Sequence, residues 1–241
     1  RREHECEFLI FDETLISSLV LADMEGTTPI ENTGQVRWFK RPTPGHTYLT
    51  SLDPSMGTGG DFSAIQVFEL PTFEQVAEWQ HNQTPMNQQV RILQGINKHI
   101  HDTIMETDAT ATPQIFYSME NNSIGEAALM RVMDIGEENI QGMFLSEPIR
   151  KGHRRKFRRG FNTTAKHKID ACTKFKELVE NDKMKINSKL LITELKDFVA
   201  SGMSYSAKPG QHDDLVSACL LMTRMMKVLA DFDPKIFEKW T

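Results

Sequence analysis

Thr50-Ser51-Leu52-Asp53-Pro54-Ser55-Met56-Gly57-Thr58-Gly59-Gly60-Asp61-Phe62-Ser63-Ala64 joins the end of one strand to the start of another, and an acid stands at the join. The run that leads into it, Thr47 to Leu52, is rich in strand formers and stops at Asp53-Pro54, because proline cannot donate to a central ladder. Gly57, Gly59 and Gly60 supply a turn. Phe62 to Phe68 alternates as a second strand. Gln75 to Gln80 can pair as a third, with Pro71-Thr72 at the turn. Short connections between three strands predict an antiparallel meander.

Downstream the period changes. Pro85 suits the first turn of a helix, and Val90, Leu93, Ile96 and Ile100 follow helical spacing to about His101. Pro113 to Met119 reads as a strand that ends at Glu120, and Asn121, Asn122 and Ser123 offer an N-cap to a helix running to about Met133. Gln141 to Leu145 is a further short strand. Helices are expected over Ala165 to Glu180 and Lys189 to Phe198. His212-Asp213-Asp214 opens a final helix whose apolar face carries Leu215, Ala218, Cys219, Leu221, Met222, Met225 and Leu229. The Met-rich part of that face reads as core packing. This order predicts an α/β fold with a mixed central sheet, an antiparallel meander plus parallel strands, flanked by helices.

Residues 1–45 read differently. Gly26, Pro29, Gly34, Pro42, Pro44 and Gly45 mark connections, so this part is expected to be a linker or arm, with one folded domain over 46–241. The chain starts at Arg1 rather than Met, which suggests a piece of a longer protein. Its 241 residues, 39% hydrophobic and 25% charged, are ordinary for a globular protein with a substantial core. No run of 18 apolar residues predicts a membrane span, and the first residues lack the apolar stretch of a signal peptide. Cys6, Cys172 and Cys219 are far apart, so neither a zinc site nor a disulfide framework is indicated. A net charge of −5 argues against a protein that coats nucleic acid with its whole surface. Positive charge is concentrated instead in Arg150, Lys151, Arg154, Arg155, Lys156, Arg158 and Arg159, and extends to Lys166 and Lys168. Such a strip can be a solvated charge run, or it can grip backbone phosphates without reading bases.

The acids fall at element ends. Asp53 ends the first strand, Glu120 ends the fourth, and Asp213 and Asp214 start the last helix. Each alone has an ordinary reading, as a turn residue or a helix-start partner. Together they lie where open α/β sheets place their sites, beyond the strand ends. Carboxylates suit hard cations such as Mg2+ or Mn2+. Two such ions about 3.5–4 Å apart can stabilise both the attacking and the leaving oxygen in phosphodiester cleavage. Asp61, eight residues beyond Asp53, can return to the same edge.

Thr50 to Ala64 closely resembles the first nuclease motif of tailed-phage large terminase subunits, which cut and package viral DNA. Tyr117-Ser118-Met119-Glu120-Asn121-Asn122-Ser123-Ile124-Gly125 looks like their second motif, and Gly210-Gln211-His212-Asp213-Asp214-Leu215-Val216 like their third. The resemblance covers roughly residues 46–230 and is nearest to the contractile-tailed, T-even-like type. It implies an RNase H-like fold and a metal-dependent endonuclease that cuts concatemeric double-stranded viral DNA with little sequence preference. It further implies Asp53, Glu120 and Asp214 as catalytic metal ligands. Asp213 and Asp61 would be accessory ligands, with the choice between Asp213 and Asp214 open, and His212 would orient a ligand or cap the helix. Implied partners are an ATPase domain preceding residue 46, a terminase small subunit and the portal, in the cytoplasm of an infected host. No G-x-x-x-x-G-K-[ST] motif occurs, so no ATP site is expected in this chain. Two other readings remain: an RNase H-like resolvase, and a non-catalytic DNA-binding or docking module.

Overall fold

A computed structural model of the chain describes residues 13–148 and 159–232. Its centre is a seven-stranded sheet with the order β1-β2-β5-β4-β3-β6-β7. Three strands, β3 (Thr47–Asp53), β4 (Ser63–Leu70) and β5 (Glu74–His81), form the antiparallel meander. Next to β3, β6 (Gln114–Met119) and then β7 (Met143–Phe144) add in parallel. Mixed pairing and flanking helices make this the α/β fold with a mixed central sheet that the element order predicts.

Strand alternation decides which helix each side chain meets. On β3, Tyr48 and Leu52 face the cluster that contains α2 (Met86–Thr107) and α3 (Gly125–Ile135). Leu49 faces the opposite cluster, built on α4 (Ala165–Glu180), α5 (Lys189–Asp197) and α6 (Asp214–Phe232). Both faces are covered, so β3 and β4 are buried almost throughout. Two buried polar contacts set the depth of the helices. The Thr50 hydroxyl donates to Asn97 Oδ1 of α2 at 2.8 Å, and the Ser51 hydroxyl donates to the Ala218 carbonyl of α6 at 2.8 Å. Met222, Met225, Met226, Cys172 and Cys219 are all core residues, as their spacing suggests.

The structure extends the sequence reading in two places. Helix α2 runs to Thr107, because Thr103 and Ile104 continue the buried stripe past Ile100. Within the Pro- and Gly-rich segment read as an arm, residues 13–45 carry the short helix α1 (Ser18–Asp23) and a hairpin, β1 (Glu31–Thr33) and β2 (Val36–Trp38). β2 pairs with β5, and Trp38, Leu15, Ile16 and Leu21 are buried. Three-residue strands carry too little alternation to register as a period. A second hairpin, β8 (Phe198–Ser201) and β9 (Ser204–Ala207), lies outside the main sheet. Among the described residues, no helix is long and apolar enough to cross a membrane.

Candidate active site

The site is assembled by register. β3 and β6 pair in parallel with Leu52 opposite Met119, and the Glu120 N–H donates to the Leu52 carbonyl at 3.2 Å. The next residue of each strand is an acid, so Asp53 and Glu120 stand side by side on the α6 face. Helix α6 runs back along β3 from its first residue, Asp214. Four helical residues above Ala218 are about 6 Å, and two strand residues above Ser51 are about 6.6 Å. The Ser51–Ala218 hydrogen bond therefore brings Asp214 level with Asp53.

A second set of contacts holds the chain after Glu120. The Asn122 amide donates to Glu120 Oε2 at 3.1 Å, and its oxygen accepts from the Ile124 and Gly125 N–H groups at 3.0 and 2.8 Å. Asn122 thus caps α3 and steadies the acid together. Gly125 is required by space: a Cβ there would lie 1.8 Å from the Glu120 carbonyl oxygen.

Asp53, Glu120, Thr163, Lys168, Ala171, Ser217, Leu220, Leu221 and Arg224 line a cleft of about 190 Å3. The electrostatics are those of crowded acids. Burial, then the Glu120 charge and a carboxyl–carboxyl hydrogen bond to it, push Asp53 well above the usual carboxylate range, and Asp214 and Asp213 add to the effect. Burial and then Asp213 raise Asp214 to about 6; Asp61 adds to this, while His212 and the Phe62 N–H oppose it. His212 Nδ1 stands 3.7 Å from Asp214 Oδ2, and its ring meets Phe62 edge-on at 4.8 Å. Asp213 Oδ2 accepts instead from the Ala207 N–H at 3.2 Å. As the side chains stand, no three His, Cys, Asp or Glu among the described residues are gathered closely enough to hold a metal ion. Asp53 lies against Glu120, while Asp214 turns to the Phe62 N–H and His212.

A family model described as terminase RNase H-like domain matches residues 50–225. This chain belongs to that family. The fold is also that of solved nucleases. The large terminase nuclease of thermophilic phage G20c aligns with a TM-score of 0.63 at 18% identity, covering 87% of this chain and 96% of that one. The large terminase nuclease domain of Thermus phage P74-26 gives 0.56 at 18% identity, over 84% and 92%. The human cytomegalovirus terminase nuclease domain, Mn-soaked with an inhibitor bound, gives 0.55 at 12%, over 87% and 94%. The G20c nuclease has also been solved with magnesium, cobalt or zinc bound.

Of the basic strip, Arg150, Lys151, Arg154, Arg155, Lys156 and Arg158 lie outside the described residues. Arg159 is ion-paired to Glu137, and its guanidinium lies 5.7 Å over the Phe144 ring. Lys166 is exposed at the start of α4. Lys168 lines the cleft with its ammonium 5.6 Å over the Phe198 ring. Sequence reasoning missed Arg224, which donates to Glu147, to Thr163 Oγ1 at 2.9 Å and to the Asn162 carbonyl at 2.9 Å. Its spacing was a usable signal: Ser217, Leu220, Leu221 and Arg224 recur at i, i+3, i+4 and i+7 on the cleft side of α6. Glu194 was also missed, since nothing in the α5 sequence marks it. Burial raises Glu194 to about 8, Asp214 adds to this, and N–H groups of Val216, Leu215 and Gln80 oppose it.

Proposed function

We propose that this domain is a divalent-metal-dependent endonuclease that cuts concatemeric double-stranded DNA during viral genome packaging, with little sequence preference. The observation that carries the reading is the in-register pairing that sets Asp53 beside Glu120, with Asp214 level with them at the head of α6. Crowded carboxylates whose charges oppose one another are a donor set suited to a hard cation, which would neutralise them. Asp53, Glu120 and Asp214 would hold Mg2+ or Mn2+ in a two-metal arrangement, with Asp213 and Asp61 as accessory groups and His212 orienting Asp214. Bound divalent cations would polarise the scissile phosphate and offset charge on the attacking and leaving oxygens. Metals in the solved G20c and cytomegalovirus nucleases support this use.

The chain's own groups do the rest. Hydrolysis adds one water across a P–O bond and leaves one phosphate monoester end and one hydroxyl end. Lys168 offers an ammonium on the cleft wall to a non-bridging phosphate oxygen. Arg150, Lys151, Arg154, Arg155, Lys156, Arg158, Arg159 and Lys166 would track flanking phosphates. Residues 1–45 would connect this domain to an ATPase domain. Small subunit and portal would be partners in the infected host's cytoplasm, and the motif resemblance favours the contractile-tailed, T-even-like type.

The test is supercoiled plasmid with the purified chain, in Mg2+, Mn2+ or EDTA, beside Asp53→Asn. Metal-dependent nicking and linearisation, lost in the variant, is the expected result. Preferential cleavage of four-way junctions over plasmid favours a resolvase. Salt-sensitive DNA binding without cleavage by folded wild type favours a docking module.

A further inference from the structure

The head of α6 poses a capping problem. The first N–H groups of a helix have no intrahelical partner, and a side chain just before the helix ordinarily accepts from them. Asp213 holds that position, yet its carboxylate accepts from Ala207 in β9. Asp214 accepts from the Phe62 N–H instead. The Val216 N–H donates at 3.1 Å to Glu194 Oε2, a residue 22 positions earlier on α5, and the Leu215 N–H turns to the same carboxyl. The other oxygen of Glu194 accepts from Gln80 Nε2 of β5 at 2.8 Å. Glu194 is 9% exposed. One carboxyl therefore ties β5, α5 and α6 together beside the acids at the head of α6.

We propose that Glu194 is a positioning residue, a cap supplied from α5 that holds the first turn of α6 and so fixes where Asp213 and Asp214 stand for a divalent cation. The inference rests on the nuclease reading above. Because Glu194 takes the Val216 and Leu215 N–H groups, neither aspartate side chain has to satisfy the first turn of its own helix.

Mn2+ binding to the whole chain, followed by the electron paramagnetic resonance signal of free Mn2+, separates the roles. Glu194→Ala is expected to lose about 10-fold or more in Mn2+ affinity, as removal of supporting groups behind metal ligands does. Glu194→Gln keeps an oxygen for Val216 and should stay within about 3-fold of wild type by the same scale. In cleavage assays the alanine variant should lower kcat and leave the KM for DNA unchanged. If Glu194→Ala does not fold, Glu194→Asp draws the carboxyl off α6 and should show the same loss. Wild-type Mn2+ affinity in a folded Ala or Asp variant overturns the proposal, as does a Gln variant as weak as Ala. When Asp53→Asn abolishes binding and Glu194→Ala keeps it, this proposal alone fails. A wild type that binds no Mn2+ overturns the metal reading and this inference with it.

Discussion

Asp214→Asn in metal-free protein is expected to raise thermal stability at neutral pH, although it removes an acid of the proposed metal site. Asp214 stands at about 6 in the folded chain against an ordinary value of 3.8. Holding it ionised above pH 6 therefore costs the fold about 3 kcal/mol. Partial solvent contact, with 14% of the side chain exposed, screens this toward about 2 kcal/mol. Asparagine keeps an acceptor for the Phe62 N–H but gives up a charge at a helix N-terminus, a loss of about 0.5 kcal/mol. The net gain is about 1–2 kcal/mol, or about 3–6 °C for a domain of this size. The sign follows from proton counting. Between pH 3.8 and about 6 the folded state binds more protons at Asp214 than the unfolded state, so wild-type stability falls as pH rises through that window. The difference between variant and wild type should be near zero at pH 4 and complete above pH 7. Melting curves of both proteins in EDTA from pH 4 to 8 measure it, and other titrating groups are common to both. A variant no more stable than wild type at pH 8, or a gain that does not change with pH, refutes the reasoning. Mg2+ should then reverse the order, since a cation that binds the folded site stabilises wild type more.

Gly125→Ala should lower stability by about 1–3 kcal/mol and cleavage by 10-fold or more, because the new Cβ would sit 1.8 Å from the Glu120 carbonyl and must displace it; the small helical advantage of alanine over glycine, under about 1 kcal/mol, does not compensate. Denaturant midpoints and plasmid nicking test both effects. Arg224→Ala takes the guanidinium from half-buried Glu147, which among the described residues keeps only the Asn162 N–H at 3.3 Å and His167 at 3.8 Å nearby, and should cost about 2–3 kcal/mol, seen as a melting temperature lower by about 5–10 °C. Arg224→Lys should recover little of this, because lysine cannot make the forked contacts to Glu147, Thr163 and Asn162.

Much of the candidate site was legible in the sequence because its acids sit at element boundaries. The meander, the strand ending at Glu120 and the helix opened by Asp213-Asp214 each carry strong local signals: alternation, a proline stop, an Asn cap and an apolar stripe. What stayed hidden came from pieces with no local signature. The β1–β2 hairpin is too short to show a period, and Glu194 looks like any surface glutamate on an amphipathic helix until α6 is laid across it.

Sequence alone determined the longer elements from β3 onward, their order and which acids end them, since backbone preference and side-chain period act over a few neighbours. Tertiary structure decided everything that depends on register between distant segments. Parallel pairing of β3 with β6 put Asp53 beside Glu120, and the Ser51–Ala218 hydrogen bond set the height of Asp214. Long-range packing also decided the split between the adjacent acids: Asp213 is held by β9, and Asp214 turns toward Phe62 and His212. Neighbouring residues on a helix point about 100° apart, so only the surrounding fold could give the two adjacent acids different partners.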